Sequence, residues 1–507
     1  MHGMRVHENG LPVGGGLGPR RLDATVSPVV AGLVPRRRTF TRPFAGRFTR
    51  RFAVLGVPLR GVLPVVLGLL ALACSLVVLV VVRAPQLSIV DEPAHADYAY
   101  QVSHGRLPAK GAVVDAEIRY EWYCHDLGAA VASADCAAGF TDGFQADAQD
   151  YTFGDPPLYY LVTGYLGRAL GPLVPGGHDF ITAGRVVGAP WLFAGMLMLY
   201  GALRAFRVER RYACLGAVLL PLCPGVLAAA SSLSSDAPCA LCGAAALYVL
   251  ARVVVERRTG WVVPFVVTAL ATGTKILNGV PMLVVGAVVL VLAVAAWRRG
   301  DRGAAVRTGR IALAVGVAFC GVYGGWTLFQ SGRGQAGWVN PNLADGQPLT
   351  GSAAGDLLSN LFGTFQHLTT NYWLADPVNG ETVVIWATLL CVVLGAAPFV
   401  LMATSRTRSW SWQLAVGTAA GISVIALVVQ TQVFATSGRY FAVVAGRYAL
   451  SFLPWAIACL AVVASRKGLT RSGVVFTGLG LTVMLLATTG LFALGPALSS
   501  RTAFLIG

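Results

Sequence analysis

The sequence predicts an all-α polytopic membrane protein with about 11 transmembrane helices. Of 507 residues, 55% are hydrophobic and only 12% are charged, whereas an ordinary soluble domain carries about 25% charged residues. The apolar residues are clustered, because residues 61–82 contain no charge and a stretch of about 20 apolar residues crosses the hydrocarbon of a bilayer. Similar stretches recur towards the end of the chain, which excludes a soluble enzyme.

The net charge of +16 comes from short basic groups between apolar stretches. Nucleic-acid binding instead requires a basic face or tail, so we expect no nucleic-acid partner and interpret these groups as topology signals. Residues 1–59 carry ten arginines against Glu8 and Asp23 and show no sustained periodicity. They predict a disordered, cytoplasmic N-terminal segment without a cleaved signal peptide, followed by a transmembrane domain over 60–507.

The order of the spans follows from the positive-inside rule. Residues 84–155 hold twelve acids and three bases, which predicts a large outer loop. Residues 157–170 and 181–203 are both apolar, but if both crossed the membrane every later arginine group would lie outside. We therefore expect 157–170 to lie in the outer interface, within a loop over 84–181. The predicted spans are 61–82, 182–203, 212–230, 237–255, 260–274, 277–296, 310–329, 382–403, 411–432, 446–464 and 472–491.

A second outer loop is predicted over 331–381, with a helix at 356–369 and an aromatic turn at Trp373. Eight of the ten cysteines lie in apolar stretches, where a thiol is usually a small hydrophobic group. Cys124 and Cys136 lie in the first outer loop, and an oxidising compartment favours a disulfide between them. A metal site that uses His125 is the weaker alternative.

The most conspicuous polar string follows the first span, with Asp91, Glu92, His95, Asp97 and Tyr98. Helical periodicity places Asp91 and His95 on one face. A structural interpretation is open at this point, because Asp91 is also a suitable N-cap and Glu92 a suitable first-turn residue.

Further polar residues fall at the same predicted surface. A cation near the bilayer centre costs roughly 2.5–3.5 kcal/mol on insertion scales, so it usually faces a cavity or a partner. Snorkelling to the interface is the alternative explanation for each basic residue. The residues concerned are Asp155, Tyr159, Tyr160, Arg185, Asp236, Lys275, Arg439 and Arg447.

This ordered set resembles the GT-C superfamily of polytopic glycosyltransferases, especially protein O-mannosyltransferases, aminoarabinose transferases and bacterial membrane proteins with an Asp-Glu-Pro-Ala-His string. The resemblance covers most of residues 60–460. It rests on the acid pair Asp91 and Glu92, the 156–160 string Pro-Pro-Leu-Tyr-Tyr, and the motif Gly-Arg-Tyr at 446–448, together with Arg185, Asp236, Lys275 and Pro454. Where the family often has His or Gln before the double proline, this chain has Asp155.

The resemblance implies an enzyme of the bacterial plasma membrane that transfers a sugar from a polyprenyl phosphate to an acceptor hydroxyl at the extracytoplasmic face. The acceptor would be a glycan, a protein or a lipid. Asp91 would be the base, supported by Glu92 or Asp97. Lys275, Arg439 and Arg447 would bind the donor phosphate, with Arg185 as a structural or ligand residue.

The resemblance also implies a substrate surface around this centre. His95, Asp155 and Asp236 would support it, and aromatic residues would stack on sugar rings, although interfacial aromatic belts are the commoner role. Those aromatic residues are Tyr98, Tyr100, Tyr159, Tyr160 and Trp373. We expect no required cofactor, and a divalent ion held by Asp91, Glu92 and His95 is the alternative.

Two other functional classes remain open from the sequence. A lipid or sugar transporter, including a flippase, would also place charges among its spans, but transporters commonly have internal repeats, and no matching halves are evident. A non-catalytic scaffold for envelope assembly is the other possibility.

Overall fold

The computed structural model describes a helical protein with two short β-strands. All described residues belong to the unit Val57–Gly507, and the predicted cytoplasmic segment and its boundary therefore stay predictions. The described residues are 59–83, 87, 91–124, 148–174, 180–340, 349–350, 380–441, 444–468 and 478.

Fifteen α-helices are defined within these residues, in chain order. They are α1 (Leu59–Arg83), α2 (Glu92–Ser103), α3 (Ala116–Cys124), α4 (Leu158–Leu170), α5 (Phe180–Val186), α6 (Gly188–Ala205), α7 (Arg210–Leu219), α8 (Pro224–Ser231), α9 (Cys239–Val254), α10 (Val262–Thr274), α11 (Ile276–Arg298), α12 (Arg302–Ser331), α13 (Gly380–Thr404), α14 (Trp410–Ser437) and α15 (Leu453–Lys467). Short 3₁₀ segments include Gly446–Phe452, directly before α15.

Six helical segments within the described residues are long and apolar enough to cross a membrane. A bent helix pair adds a seventh if it is counted as one span. Three of the other predicted spans correspond to shorter apolar helices, at Cys239–Val254, Val262–Thr274 and Leu389–Thr404. The last predicted span, 472–491, lies outside the described residues apart from residue 478. The chain is a polytopic membrane protein, and the count of eleven spans stays a prediction.

The predicted span 212–230 is not one straight helix. Helix α7 with its 3₁₀ extension and helix α8 meet at a bend of 65°. Pro221 and Pro224 flank the break, and each proline removes a backbone donor and clashes with the preceding turn. The chain changes direction at this bend and continues as α8, whose residues are all buried. After α8 it enters the loop that carries Asp236.

The predicted interfacial segment 157–170 forms a separate helix, α4. This helix packs against α2 at Gly164, where an added Cβ would overlap the carbonyl oxygen of Ala99. Its other face leaves Leu161, Tyr165 and Leu166 exposed, as expected for a helix that rests in an interface.

Two apolar cores lie behind the polar residues. The larger core joins α1, α6, α9, α11, α14 and α15. The smaller core packs α2 and α4 together around Tyr98, Tyr159 and Tyr160, with Phe180 and Leu233 at its border. Consequently, the start of α2, the start of α4 and the α8–α9 loop come together.

The end of α12 fixes the loop before α4. The Arg333 guanidinium donates to the Leu107 carbonyl over 2.9 Å, and the Gln330 amide donates to the Phe153 carbonyl over 3.1 Å. The Trp326 indole N–H donates to the Gly154 carbonyl over 3.0 Å. The contacts to Phe153 and Gly154 hold the chain that leads into Asp155, and the contact to Leu107 holds the chain that follows α2.

The strands β1 (Leu349–Thr350) and β2 (Tyr440–Phe441) pair antiparallel, with Leu349 opposite Phe441. They tie the region after α12 to a second Gly-Arg-Tyr triplet, at 438–440. The predicted helix 356–369 and Trp373 lie outside the described residues.

Candidate active site

Asp91 lies immediately before α2 in a left-handed backbone conformation, with φ of 60°. A non-glycine residue in this region is uncommon and is conformationally costly. The Asp91 side chain does not cap the helix. It accepts a hydrogen bond from the Tyr151 hydroxyl over 2.9 Å and forms an ion pair with Arg447. The simple capping interpretation of Asp91 is therefore wrong for its side chain.

The ion pair controls the acidity of Asp91. Burial raises the pKa of this carboxyl, but the charge and hydrogen bond of Arg447, together with the hydrogen bond from Tyr151, outweigh burial and lower the pKa to about 2. Asp91 is thus a charged acceptor whose basicity is suppressed as long as Arg447 contacts it.

Glu92 and Arg185 form a second pair that is sealed from solvent. Their side chains are 0% and 3% exposed, and the guanidinium donates to both carboxylate oxygens over 2.7 Å. The Leu233 backbone N–H adds a hydrogen bond to Glu92 over 2.8 Å. This bidentate pair joins α2, α5 and the α8–α9 loop, and its geometry favours a structural role.

Asp236 and Lys275 form a third pair, with 2.7 Å between Nζ and Oδ1. Lys275 is the single extended residue between α10 and α11, so the interruption of two apolar helices places its side chain. The Lys275 ammonium lies 5.8 Å from the centroid of the Tyr448 ring, and the Arg447 guanidinium lies 5.3 Å from the same centroid. One aromatic ring therefore brings the two cations together.

The position of Arg447 depends on close packing behind it. The segment Gly446–Phe452 lies against α9, where an added Cβ on Gly243 would overlap the Ser451 carbonyl oxygen. The Trp455 indole N–H donates to the Gly243 carbonyl over 2.9 Å. Gly243 therefore permits the approach that carries Arg447 to Asp91.

A hydroxyl and imidazole chain borders the three ion pairs. The Tyr160 hydroxyl donates to Asp155 Oδ2 over 3.2 Å and lies 2.8 Å from His95 Nδ1. Because the phenolic hydrogen is used on Asp155, the network assigns the hydrogen of this second bond to Nδ1. Burial lowers the pKa of His95, which favours a neutral ring whose Nε2 is a hydrogen-bond acceptor.

Asp155 differs from Asp91, Glu92 and Asp236, because among the described residues no cation lies within salt-bridge distance of its carboxylate. The Ser235 hydroxyl donates to it over 2.8 Å, and the Tyr98 hydroxyl donates to its backbone carbonyl over 3.0 Å. Tyr98 and Tyr160 stack at 3.7 Å, and the Tyr159 hydroxyl accepts from the Ser234 N–H over 2.9 Å. These three tyrosines are buried and pack in the smaller core next to the polar residues of the site.

Asp97 has a set of partners separate from that of Asp91. It accepts hydrogen bonds from the Asp115 N–H and the Gln101 amide, and its carboxyl interacts directly with that of Asp150. Burial raises the pKa of Asp97 to about 6 despite those donors. Burial and the charge of Asp97 raise the pKa of Asp150 well above its ordinary range.

Other predicted residues lie elsewhere or outside the described part. Arg439 is on the exposed turn between α14 and β2, and Tyr100 donates to Glu117 on the exposed side of α2. Trp373 and Cys136 lie outside the described residues, as does the side chain of Cys124. The disulfide therefore stays a prediction.

The sequence interpretation missed Tyr151 and Asp150. Tyr151 and Asp150 lie in an irregular acidic segment, where no helical or strand periodicity indicates which way a side chain points. The one available signal was their position shortly before Asp155, in a loop that already carried a candidate.

Among the residues that the structure describes, no group of three or more His, Cys, Asp or Glu side chains is placed to hold a metal ion. Asp91, Glu92 and His95 instead have separate partners, in Arg447, Arg185 and Tyr160. The predicted independence from a cofactor is not tested by this arrangement and stays a prediction.

The comparisons with known proteins leave the family open. No protein-family model matches the chain, and no curated protein does. A crystal structure of ArnT from Cupriavidus metallidurans bound to undecaprenyl phosphate is similar to it, with 16% sequence identity and a TM-score of 0.45. The match covers 88% of this chain and 76% of that chain. A likeness at this level carries no argument about function, which has to be made from the site.

Proposed function

We propose that the protein is a membrane glycosyltransferase that moves a sugar from a polyprenyl-phosphate donor to an acceptor hydroxyl at the extracytoplasmic face. One observation carries the proposal: a carboxylate on a strained turn, Asp91, pairs with Arg447, and Arg447 lies over the same Tyr448 ring as a second cation, Lys275. A base next to a site for a departing phosphate is the combination that this reaction requires.

The proposed chemistry assigns one task to each charge. Asp91 takes the proton of the acceptor hydroxyl as the hydroxyl oxygen bonds to the anomeric carbon. The bond between that carbon and the phosphate oxygen breaks, and its electron pair leaves with the polyprenyl phosphate. Arg447 and Lys275 stabilise the second negative charge that develops on the phosphate.

The neighbouring residues support an acceptor position. Neutral His95 offers Nε2 as an acceptor, and Asp155 offers a half-buried carboxylate that is bound by hydroxyl groups. Both types of group bind a sugar or side-chain hydroxyl by hydrogen bonds. The Glu92–Arg185 pair holds α2 in place and takes no part in proton transfer in this proposal.

A transporter or flippase is the second candidate, and one observation favours it. The bent pair α7–α8 is a broken helix that ends next to the charged cluster, and discontinuous helices often line the substrate sites of transporters. A non-catalytic scaffold has no comparable support.

One assay with purified protein separates these functions. The protein is reconstituted into vesicles with a radiolabelled polyprenyl-phosphate sugar and a cell-envelope acceptor fraction. A transferase produces labelled acceptor and free polyprenyl phosphate in detergent as well as in vesicles. A transporter moves label only between leaflets and yields no product in detergent, and that result would refute the proposal.

A further inference from the structure

The two cations assigned to the donor phosphate are already occupied by carboxylates. Arg447 contacts Asp91, and Lys275 contacts Asp236. A phosphate that binds both cations has to compete with these internal partners, since an ammonium or guanidinium in contact with a carboxylate is largely neutralised towards a second anion.

The Asp91 pair is built to be exchangeable, in contrast to the Glu92–Arg185 pair. Glu92 has two guanidinium contacts and a backbone donor, and it is 0% exposed. The Asp91 side chain is 23% exposed, and its other oxygen is bound by Tyr151. When Arg447 moves, Asp91 therefore keeps one donor and some solvent, and it does not become an isolated buried charge.

The charge of the ligand favours the exchange as the reaction proceeds. The donor is a phosphodiester with one negative charge, whereas the departing polyprenyl phosphate is a monoester that approaches two. Arginine binds phosphate oxygens in a bidentate geometry. Contacts that strengthen as charge develops on the phosphate contribute to catalysis rather than to ground-state binding alone.

We infer that the donor phosphate displaces Asp91 from Arg447 and Asp236 from Lys275, so that the catalytic base is released only in the donor complex. This inference rests on the proposed function. It requires that donor binds before acceptor chemistry begins, and it prevents Asp91 from acting on hydroxyl groups while no donor is bound.

The electrostatics of Asp91 agree with this order. The charged and titratable groups that face it are Arg447 from the 3₁₀ segment, His95 from α2 and Tyr151 from the loop before α4. Removal of the Arg447 charge leaves burial as the largest influence, which raises the pKa of Asp91 towards values suited to a general base.

Binding of a long-chain polyprenyl phosphate to the purified protein tests the exchange. Asp91→Asn and Asp236→Asn each remove an internal competitor, and we expect each to tighten binding by about 10-fold, equivalent to about 1.4 kcal/mol. Asp155→Asn is the matched control, because it removes the same charge from the same cluster without breaking an ion pair. Phosphatidic acid, a phosphomonoester lipid, serves as a competitor that distinguishes polyprenyl recognition from general headgroup binding.

The outcomes separate the inference from the proposed function. Tightening by Asp91→Asn or Asp236→Asn beyond that of Asp155→Asn supports the exchange. Equal or weaker binding of both variants, with wild-type binding intact, overturns it and leaves the proposed function standing. Failure of the wild type to bind polyprenyl phosphate refutes the function itself.

Difference infrared spectroscopy on the wild type gives a readout that needs no variant. Exchange predicts that carboxylate bands shift when polyprenyl phosphate binds, because at least two aspartates lose a cationic partner. Unchanged carboxylate bands at saturating ligand contradict the inference even if neither variant folds.

Discussion

The carboxyl groups of Asp97 and Asp150 are neighbours and both are buried. The two carboxyls interact, and burial raises the pKa of Asp97 to about 6 against an ordinary value of 3.8. The folded protein therefore binds more protons than the unfolded chain at pH values between the ordinary and the raised pKa of Asp97. Stability falls as pH rises through this interval, and the full cost is present at neutral pH.

Replacement of Asp150 by Asn should relieve this cost. The amide keeps an oxygen for the Thr152 N–H and hydroxyl and supplies a donor to Asp97. We expect Asp150→Asn to raise the free energy of unfolding by on the order of 1 kcal/mol at about pH 7.5 and to have less effect at about pH 5. Thermal unfolding in detergent at both values measures the difference.

The control is Asp115→Asn, which alters a partly exposed carboxyl paired with Arg106 and should change stability little at either pH. A stabilisation by Asp150→Asn that is the same at both pH values would show that the raised pKa values of Asp97 and Asp150 are not the source of this cost.

The sequence predicts many of the residues in the candidate site. It does not predict which of them form ion pairs with each other. The cost of a cation near the bilayer pointed to Lys275 and Arg447, and the polar string after the first span pointed to Asp91. Their partners are distant in sequence, and no local pattern connects residue 91 with residue 447.

At the scale of elements, a close contact between α2 and α4 determines where His95 meets Tyr160. Gly164 allows this approach, because any Cβ there would overlap the backbone of Ala99. Backbone cannot yield as a side-chain end can, so the helices would have to separate.

Gly164→Ala should therefore destabilise the protein by about 1–3 kcal/mol, the usual cost of overpacking. Gly171→Ala, at the end of the same helix, is the matched control, since its Cβ would meet nothing within 4 Å. Unfolding measurements on both variants check this. A Gly164→Ala protein as stable as Gly171→Ala would show that the two helices do not pack as described.

The elements were predictable where hydrophobic length decided them and less so where backbone breaks did. The helix at 157–170 and the long helices α1, α11, α12 and α14 follow directly from apolar length. The bend after α7 was missed, although Pro221 and Pro224 were a visible signal, because the count of apolar residues masked the lost donors.

At the scale of the whole molecule, the distribution of arginines predicts the orientation in the membrane. In this topology Arg207, on the turn after α6, faces the cytoplasm, and Arg106, after α2, faces outwards. Both residues are exposed.

Cysteine labelling of intact cells tests the orientation. In a background with Ser at Cys74 and Cys320, the two exposed thiols among the described residues, Arg106→Cys should react with a membrane-impermeant reagent. Arg207→Cys should react only after permeabilisation. The reverse pattern would place the candidate site on the cytoplasmic side, whereas reaction of both cysteines in intact cells would restore 157–170 as a full span.

The most direct test of the central claim is the rate of sugar transfer by purified Asp91→Asn compared with the wild type, both saturated with donor. Asn has nearly the same shape but does not accept a proton at neutral pH, and loss of a general base typically lowers the rate about 100- to 10,000-fold. The account predicts a folded variant that still binds polyprenyl phosphate and has lost transfer to this extent. Transfer near the wild-type rate by a folded, donor-binding Asp91→Asn protein would contradict the assignment of Asp91 as the base.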